Sequence, residues 1–403
     1  MSLWVYLDGT DVSGVAIEGS ATRRLNRPAQ ATIKIPMDAA IGGPGSRLKI
    51  SFDAGATLFF HGMVLDCETD SGEDDGYTVY NASDPMELWQ WRPARDGPSS
   101  ADPGDMSKPT FIEDFVSGPA IMQQLFLASE DATLIPSKAE GPLFLTPGNF
   151  EASTADLTGA PTDWPMTIGQ IASLLCSTGC LDIVITPTDP GGGIMGTVDC
   201  YKGDYGTDLS ASVLFSYGMG AKNVRRVRWN EDMSQMCNKL WYYLGPRVGT
   251  STDPAGDQHW CANVTGTQTF PATVIAAGDL VTLLADRVTS QGTYGVRMDV
   301  KIWDGQGDCT VPAMGYDLYK RLWIEESWIR QVPRGLIHIT PTRGTGIGSF
   351  DIGDIVSVEA DASVRGGFSG AQRVFGYTVS WDEDGPFELS ELQTSSDSEV
   401  PLP

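Results

Sequence analysis

The chain has 403 residues, 41% of them hydrophobic, which is enough for two or three domains with their own cores and too apolar for a disordered polypeptide. Its 27 Lys+Arg against 52 Asp+Glu give a net charge of −25, which repels phosphate backbones and argues against tight nucleic-acid binding. The 46 glycines and 25 prolines require many turns, and so favour short antiparallel strands over long helices.

Residues 1–92 read as a first β domain. Ile33 and Ile35 flank Lys34, while Leu48, Ile50 and Phe52 alternate with Lys49 and Ser51, the period-two pattern of a half-buried strand. Residues 58–67 and 77–81 read as a hairpin across the acidic turn from Asp70 to Gly76, where Asp and Gly tolerate positive φ. Asp84 is placed to cap a short helix, with Pro85 in its first turn, Glu87 three residues on, and Leu88 and Trp89 on its apolar side.

A Pro-, Gly-, Ser- and Asp-rich loop over residues 93–109 opens a mixed α+β middle domain, 93–212. Residues 119–129 carry Ile121, Met122, Leu125 and Phe126 on one helical stripe. Thr167 and Gln170 form a capping box for a helix bearing Ile168, Ile171, Ala172 and Leu175. A buried strand over 181–185 follows, ended by the loop from Pro187 to Gly193.

Residues 213–245 return to β. One strand ends in Phe215-x-Tyr217-Gly218, a turn passes through Asn223, and two more strands follow, the last closing on Gly245. Residues 246–334 read as an inserted helix-containing domain. It holds a helical stretch over 280–288 and an amphipathic helix over 317–331, with Leu318, Leu322, Trp323 and Ile329 as its apolar set and Pro333 as its stop. Four strands, 336–340, 355–359, 374–381 and 387–392, complete a second β domain formed by 213–245 plus 335–393, and 394–403 reads as a flexible tail. The fold class is α+β, mainly antiparallel β.

Reactive constellations are absent from the sequence. Cys67, Cys176, Cys180, Cys200, Cys237, Cys261 and Cys309 are odd in number and scattered, with no C-x-x-C, so they support neither a zinc site nor a disulfide framework and suit a reducing cytoplasm; Cys176 and Cys180 fall on one face of a helix as small apolar residues. His61, His259 and His338 have no metal-ligand spacing. No nucleophile elbow or phosphate loop occurs, and Gly344 to Gly348 opens no helix. Ser380, Asp382, Asp384, Gly385 and Glu391 match a calcium loop except for Ser380 at its head, but strand-like alternation on both sides favours a hairpin turn. Among 52 acids some pair falls by chance at glycosidase spacing, and none is marked out. Trp89, Trp91, Trp323 and Trp328 read as packing or subunit contacts rather than a ligand platform. No catalytic, cofactor-binding or metal residue is assigned. Met1 to Thr10 lacks the basic region and apolar run of a signal peptide, and no run of ~18 apolar residues spans a membrane.

Four places carry a family resemblance: Arg24-Leu25-Asn26 to Pro36 with Arg47-Leu48-Lys49-Ile50 and Leu58 to Gly62; the helix led by Asp84; Val213 to Gly245, with Gly218, Asn223, Asp232 and Asn238; and Ile337 to Pro341 followed by Phe350 to Val356, with Gly353 and Asp354. Here the chain resembles the tail-tip (baseplate) hub proteins of siphophages, called minor tail proteins in actinobacterial phages, which are similar to the baseplate hub of contractile-tailed phages. The resemblance implies two related β-barrel domains with helix-containing inserted domains, and a homotrimer whose six barrels dock on a sixfold tail tube. It further implies a distal face bearing a central fibre or spike and other minor tail proteins. The expected neighbours are the distal tail protein or last tail-tube ring and the tape measure protein, with viral DNA passing through the channel without specific binding, no membrane anchor, and assembly in the host cytoplasm before residence at the virion tail tip. The alternative is a tail-associated hydrolase or binding module for cell-wall glycans.

Overall fold

The computed structural model describes residues 3–52, 57–71, 76–92, 94, 116–130, 144–151, 157–158, 167–177, 181–218, 220–234, 236–244, 259–261, 268–269, 274–275, 289–303, 334–342, 348–364, 367–382 and 388–395. The chain divides into two compact units, residues 1–156, 160–230 and 335–403 in the first and 157–159 and 231–334 in the second.

The first unit opens with β1 (Leu3–Leu7) and β2 (Thr10–Asp11), joined by Asp8 and Gly9, both at positive φ. β3 (Glu18–Arg24), β4 (Gln30–Pro36), β5 (Arg47–Phe52), β6 (Thr57–Asp70) and β7 (Tyr77–Ser83) follow. A 3-10 turn, Pro85–Gln90, is capped as the sequence predicts: Met86 N donates to Asp84 Oδ1 at 2.9 Å. β8 (Val116–Ser117) leads into α1 (Gly118–Glu130), then come β9 (Leu145–Phe150) and, counted with the second unit, β10 (Leu157–Thr158). α2 (Ile168–Ser177) starts at a reciprocal capping box, Gln170 N to Thr167 Oγ1 at 3.1 Å and Thr167 N to Gln170 Oε1 at 2.8 Å. β11 (Asp182–Pro187), β12 (Gly196–Tyr201), β13 (Leu214–Tyr217) and β14 (Val224–Asp232) follow.

In the second unit, β15 (Lys239–Leu244) lies between β16 (His259–Cys261) and β19 (Met298–Trp303), and β17 (Gln268–Thr269) pairs with β18 (Val274–Ile275). Asn238 is fully buried there: its Nδ2 donates to Ser290 Oγ and Gly295 O, and its Oδ1 accepts from Arg297 N at 2.7 Å. The chain then closes with β20 (Arg334–Pro341), β21 (Ile355–Ala360), β22 (Phe368–Trp381) and β23 (Glu388–Ser395).

The fold is mainly antiparallel β with few helices. Thirteen strands form one sheet in the order β14-β20-β23-β22-β3-β4-β7-β6-β5-β1-β2, with β21 and then β13 branching from β22; among the described residues it does not close on itself. The three consecutive strands of residues 213–245 do not pair with one another: β13 joins β21, β14 joins β20, and β15 belongs to the other unit. Alternation marks a strand's buried face, but not its neighbour. β23 continues through Thr394 and Ser395, the first two residues of the stretch expected as a flexible tail, because Thr394 is wedged between Ile337 and Val374 and fully buried.

One apolar cluster lines the large sheet, with Val5, Ile33, Ile50, Phe60, Tyr80, Phe215, Val358 and Val379 among its members. A second gathers Trp89, Ile121, Met122, Leu125, Phe126, Ile171, Leu175 and Val198, so the stripes of α1 and α2 bury as the periodicity predicts. Each such side chain contributes about 1.5–3 kcal/mol. The helices over 280–288 and 317–331, with Trp323 and Trp328, lie outside the described residues, as do Cys180, Cys309, Asp384, Gly385, residues 344–347 and residues 396–403.

Candidate functional site

The two β regions of the first unit meet edge to edge, β3 against β22, antiparallel, with Gly19 opposite Trp381, Ser20 opposite Ser380, Thr22 opposite Thr378 and Arg24 opposite Gly376. Beyond β3, Leu25 N donates to Phe375 O at 2.8 Å. The close approach needs Gly19, since a Cβ there would collide with the Trp381 ring and Thr32 O. The hydroxyls of Thr22 and Thr378 hydrogen-bond across the seam at 3.0 Å.

Directly opposed residues share a face, so rows can be followed across the seam. One row runs Val64, Ala82, Ala31, Ala21, Val379 and Leu389, and all are buried. The row on the other face runs Asp66, Asn81, Thr32, Ser20, Ser380 and Glu388. It is laced by Asn81 Nδ2 to Asp66 Oδ1 at 2.7 Å and Thr32 Oγ1 to Asn81 Oδ1 at 2.9 Å. A neighbouring row carries Gln30, Thr22, Thr378 and Glu391. A mostly polar face, broken at Val79 in the row from Glu18 through Lys34 to Glu68, therefore spans six strands drawn from both β regions.

A buried polar tie lies beside the seam. Asp182 and Arg373, 1% and 8% exposed, pair at 2.5 Å through Nη2 and Oδ2. Arg373 also donates to Gly353 O, Gly203 O and Tyr205 O, and Asp182 accepts from Tyr205 N at 3.0 Å. Asn26, held at φ 65, donates through Nδ2 to Asp182 Oδ1 and exchanges hydrogen bonds with the backbone of Ile183. Three segments distant in sequence are locked together, and the charges are spent on structure. The sequence carried one signal of this tie: a charged residue at 373 inside a buried apolar strand.

Asp84 does more than cap its turn. Its Oδ2 accepts from Ala29 N at 2.8 Å, and burial pushes its carboxyl up to about 7 against the pull of the two backbone donors. It lines a recess with Arg23, Arg24, Phe59, Phe60 and His61 that has room for about one water molecule. Burial lowers the His61 imidazole, whose Nδ1 bonds Thr188 O at 2.7 Å.

The histidines go to separate duties. His61 faces Thr188, His338 Nδ1 meets Glu391 Oε1 at 2.5 Å, and His259 lies in β16. Ser380 and Glu391 sit on the paired strands β22 and β23, with Glu391 opposite Thr378. No group of three or more metal-ligating side chains occurs among the described residues. Trp89 is buried and Trp91 exposed. Gly218 takes φ 73 against Asp361, and Asn223 staples its turn by accepting from Ser216 N and donating to Leu214 O, both at 2.7 Å. No helix among the described residues is long and apolar enough to cross a membrane.

No protein-family model matches the chain, and no curated protein matches it. Solved structures do. The 43 kDa tail protein of prophage MuSo2 from Shewanella oneidensis aligns with a TM-score of 0.51 at 11% identity, over 98% of this chain and 97% of that one. The tail protein from Neisseria meningitidis MC58 aligns with a TM-score of 0.52 at 12% identity, over 98% and 96%. Across nearly its whole length, the chain has the fold of these tail proteins.

Proposed function

We propose that the protein is a structural, non-enzymatic component of a phage virion that forms a homotrimeric hub at the distal end of the tail. It joins the distal tail protein or last tube ring to the central fibre or spike and other tip proteins, and lines the channel taken by the tape measure protein and then the genome. Assembly takes place in the host cytoplasm.

The observation that carries this reading is a repeated strand order. The first β region runs β3-β4-β7-β6-β5-β1 and the second β14-β20-β23-β22-β21-β13. β6 and β22 each have 14 residues and each change partner at a register shift, between Val64 and Asp66 and between Val374 and Gly376. The backbone exchange of Val64 with Gly45 and Ser46 recurs at Val374 with Gly353 and Asp354, both glycines at positive φ. The copies differ at one join, since β1 pairs antiparallel with β5 whereas β13 pairs parallel with β21. Two equivalent β modules per chain let three chains offer six similar surfaces to a sixfold tube.

The polar face across the seam suits a channel wall. Glu18, Asp66, Glu68, Glu388 and Glu391 outnumber Lys34 and Arg24 on it, so DNA would meet a weakly repulsive surface, felt within a Debye length of ~8 Å. Cryo-EM of tail tips tests the reading: three copies about the tail axis with this face inward are expected. Copies away from the axis, or an inward face that is neutral or basic, would count against it.

A further inference from the structure

The large sheet leaves two long edges unpaired among the described strands, and they carry opposite charge. β14 pairs with β20 alone, and its other edge is open. Arg225, Arg226 and Arg228 project from it, all exposed. Arg225 and Arg226 form no ion pair among the described residues, while Arg228 lowers the Glu391 carboxyl as a minor influence after the His338 hydrogen bond. Three of the chain's 27 cations therefore stand within four residues of an acidic protein.

The second open edge is the distal half of β6. β5 covers β6 only as far as Met63, and from Leu65 to Asp70 the strand is bonded to β7 on one side only. Asp66, Glu68 and Asp70 on this stretch are exposed and form no ion pair among the described residues. Edge strands with charges of one sign are often protected against pairing. Two edges of opposite sign on one sheet are instead complementary.

The seam inside the chain supplies the geometry. In the repeated order, β22 corresponds to β6 and β3 corresponds to β14. The distal half of β22, past its register shift, is the part that pairs with β3. The same half of β6, past its own shift, is the part left open. The equivalent partner for it is β14, which no copy can give to itself at the far end of the same sheet.

We infer that β6 from Leu65 to Asp70 pairs antiparallel with β14 of a second copy of this chain, so that the internal seam is repeated between copies with Asp66, Glu68 and Asp70 facing Arg226 and Arg228, which alternate onto one face as the acids do. The contact is head-to-tail, which generates a ring when the rotation closes. It rests on the hub reading and names the surfaces that build the hub. Threonine hydroxyls bridge the internal seam, and charge pairs replace them between copies, which gives the external joint dependence on salt.

The test uses the full chain and mass photometry across protein concentration. Glu68→Lys with Asp70→Lys reverses one edge, and Arg226→Glu with Arg228→Glu reverses the other. Each edge variant is expected to raise the concentration for half-assembly at least about tenfold, as like charges then oppose. The chain carrying all four substitutions is expected to recover the three-copy species. An equimolar mixture of the two edge variants is expected to stop at pairs, because strictly alternating copies cannot close a ring of three. The substituted residues are exposed, and unchanged melting temperatures confirm folding; Glu68→Gln with Asp70→Asn, expected to weaken assembly less, replaces a variant that does not fold. If the edge variants form rings as the unmodified chain does, the contact is wrong and the hub reading stands. If the unmodified chain remains single at every concentration, the hub reading falls and the contact with it.

Discussion

Asp182 and Arg373 lie 191 residues apart in sequence and 2.5 Å apart in the fold, both buried, where Asn26 of the first β region joins them. Removing one partner leaves the other charge buried and unpaired. Arg373→Met or Asp182→Ala is expected to cost about 3–5 kcal/mol. Urea unfolding of each variant checks this, and a loss below about 1 kcal/mol would mean that the pair is dispensable.

Gly19 holds the seam open for Trp381. Gly19→Val places its side chain against the Trp381 ring and the backbone of Thr32, and should destabilise by about 1–3 kcal/mol. Gly19→Val combined with Trp381→Leu should recover part of that loss, because the colliding ring is gone. Absence of any recovery would place the clash elsewhere.

Asp84 gives the fold a pH dependence of defined sign. Its carboxyl is raised in the folded state from 3.8 to about 7, so between these values the folded chain holds a proton that the unfolded chain has released. Its contribution to stability therefore falls as pH rises from about 4 to 7 and is level above that, a change on the order of a few kcal/mol. Asp84→Asn should remove this slope. The difference in urea midpoint between the unmodified chain and Asp84→Asn, followed from pH 4 to 8, tests it, and a difference independent of pH is the contrary result.

Thiol reactivity should follow burial. Cys200 is fully buried among apolar neighbours, and burial pushes its thiol far up, so it is not a thiolate at neutral pH. Cys176 is buried as well, whereas Cys67 is only half-buried. Maleimide labelling of the native chain followed by peptide mass spectrometry should modify Cys67 before Cys176 or Cys200, and the buried pair only on unfolding. Early labelling of Cys200 would show that the cluster around β12 opens readily.

What residues 1–403 determine by themselves is local. The alternation at Leu48, Ile50 and Phe52, the stripe at Ile121, Met122, Leu125 and Phe126, and the caps at Asp84 and Thr167 specify strand, helix and start point, because each depends on side chains a few positions apart. The resemblance at Gly218 and Asn223 is likewise local, each serving a turn, whereas Asn238 bonds partners from Ser290 to Arg297, far along the chain. Partnership is decided elsewhere. Every strand offers the same backbone donors and acceptors, so nothing near Glu18 announces that β3 will bond to β22, and nothing in residues 213–245 reveals that its three strands go to three different neighbours. Only folding selects those neighbours, by burying Trp381 over Gly19 and Arg373 against Asp182, and by leaving one acidic and one basic edge without a mate among the described strands.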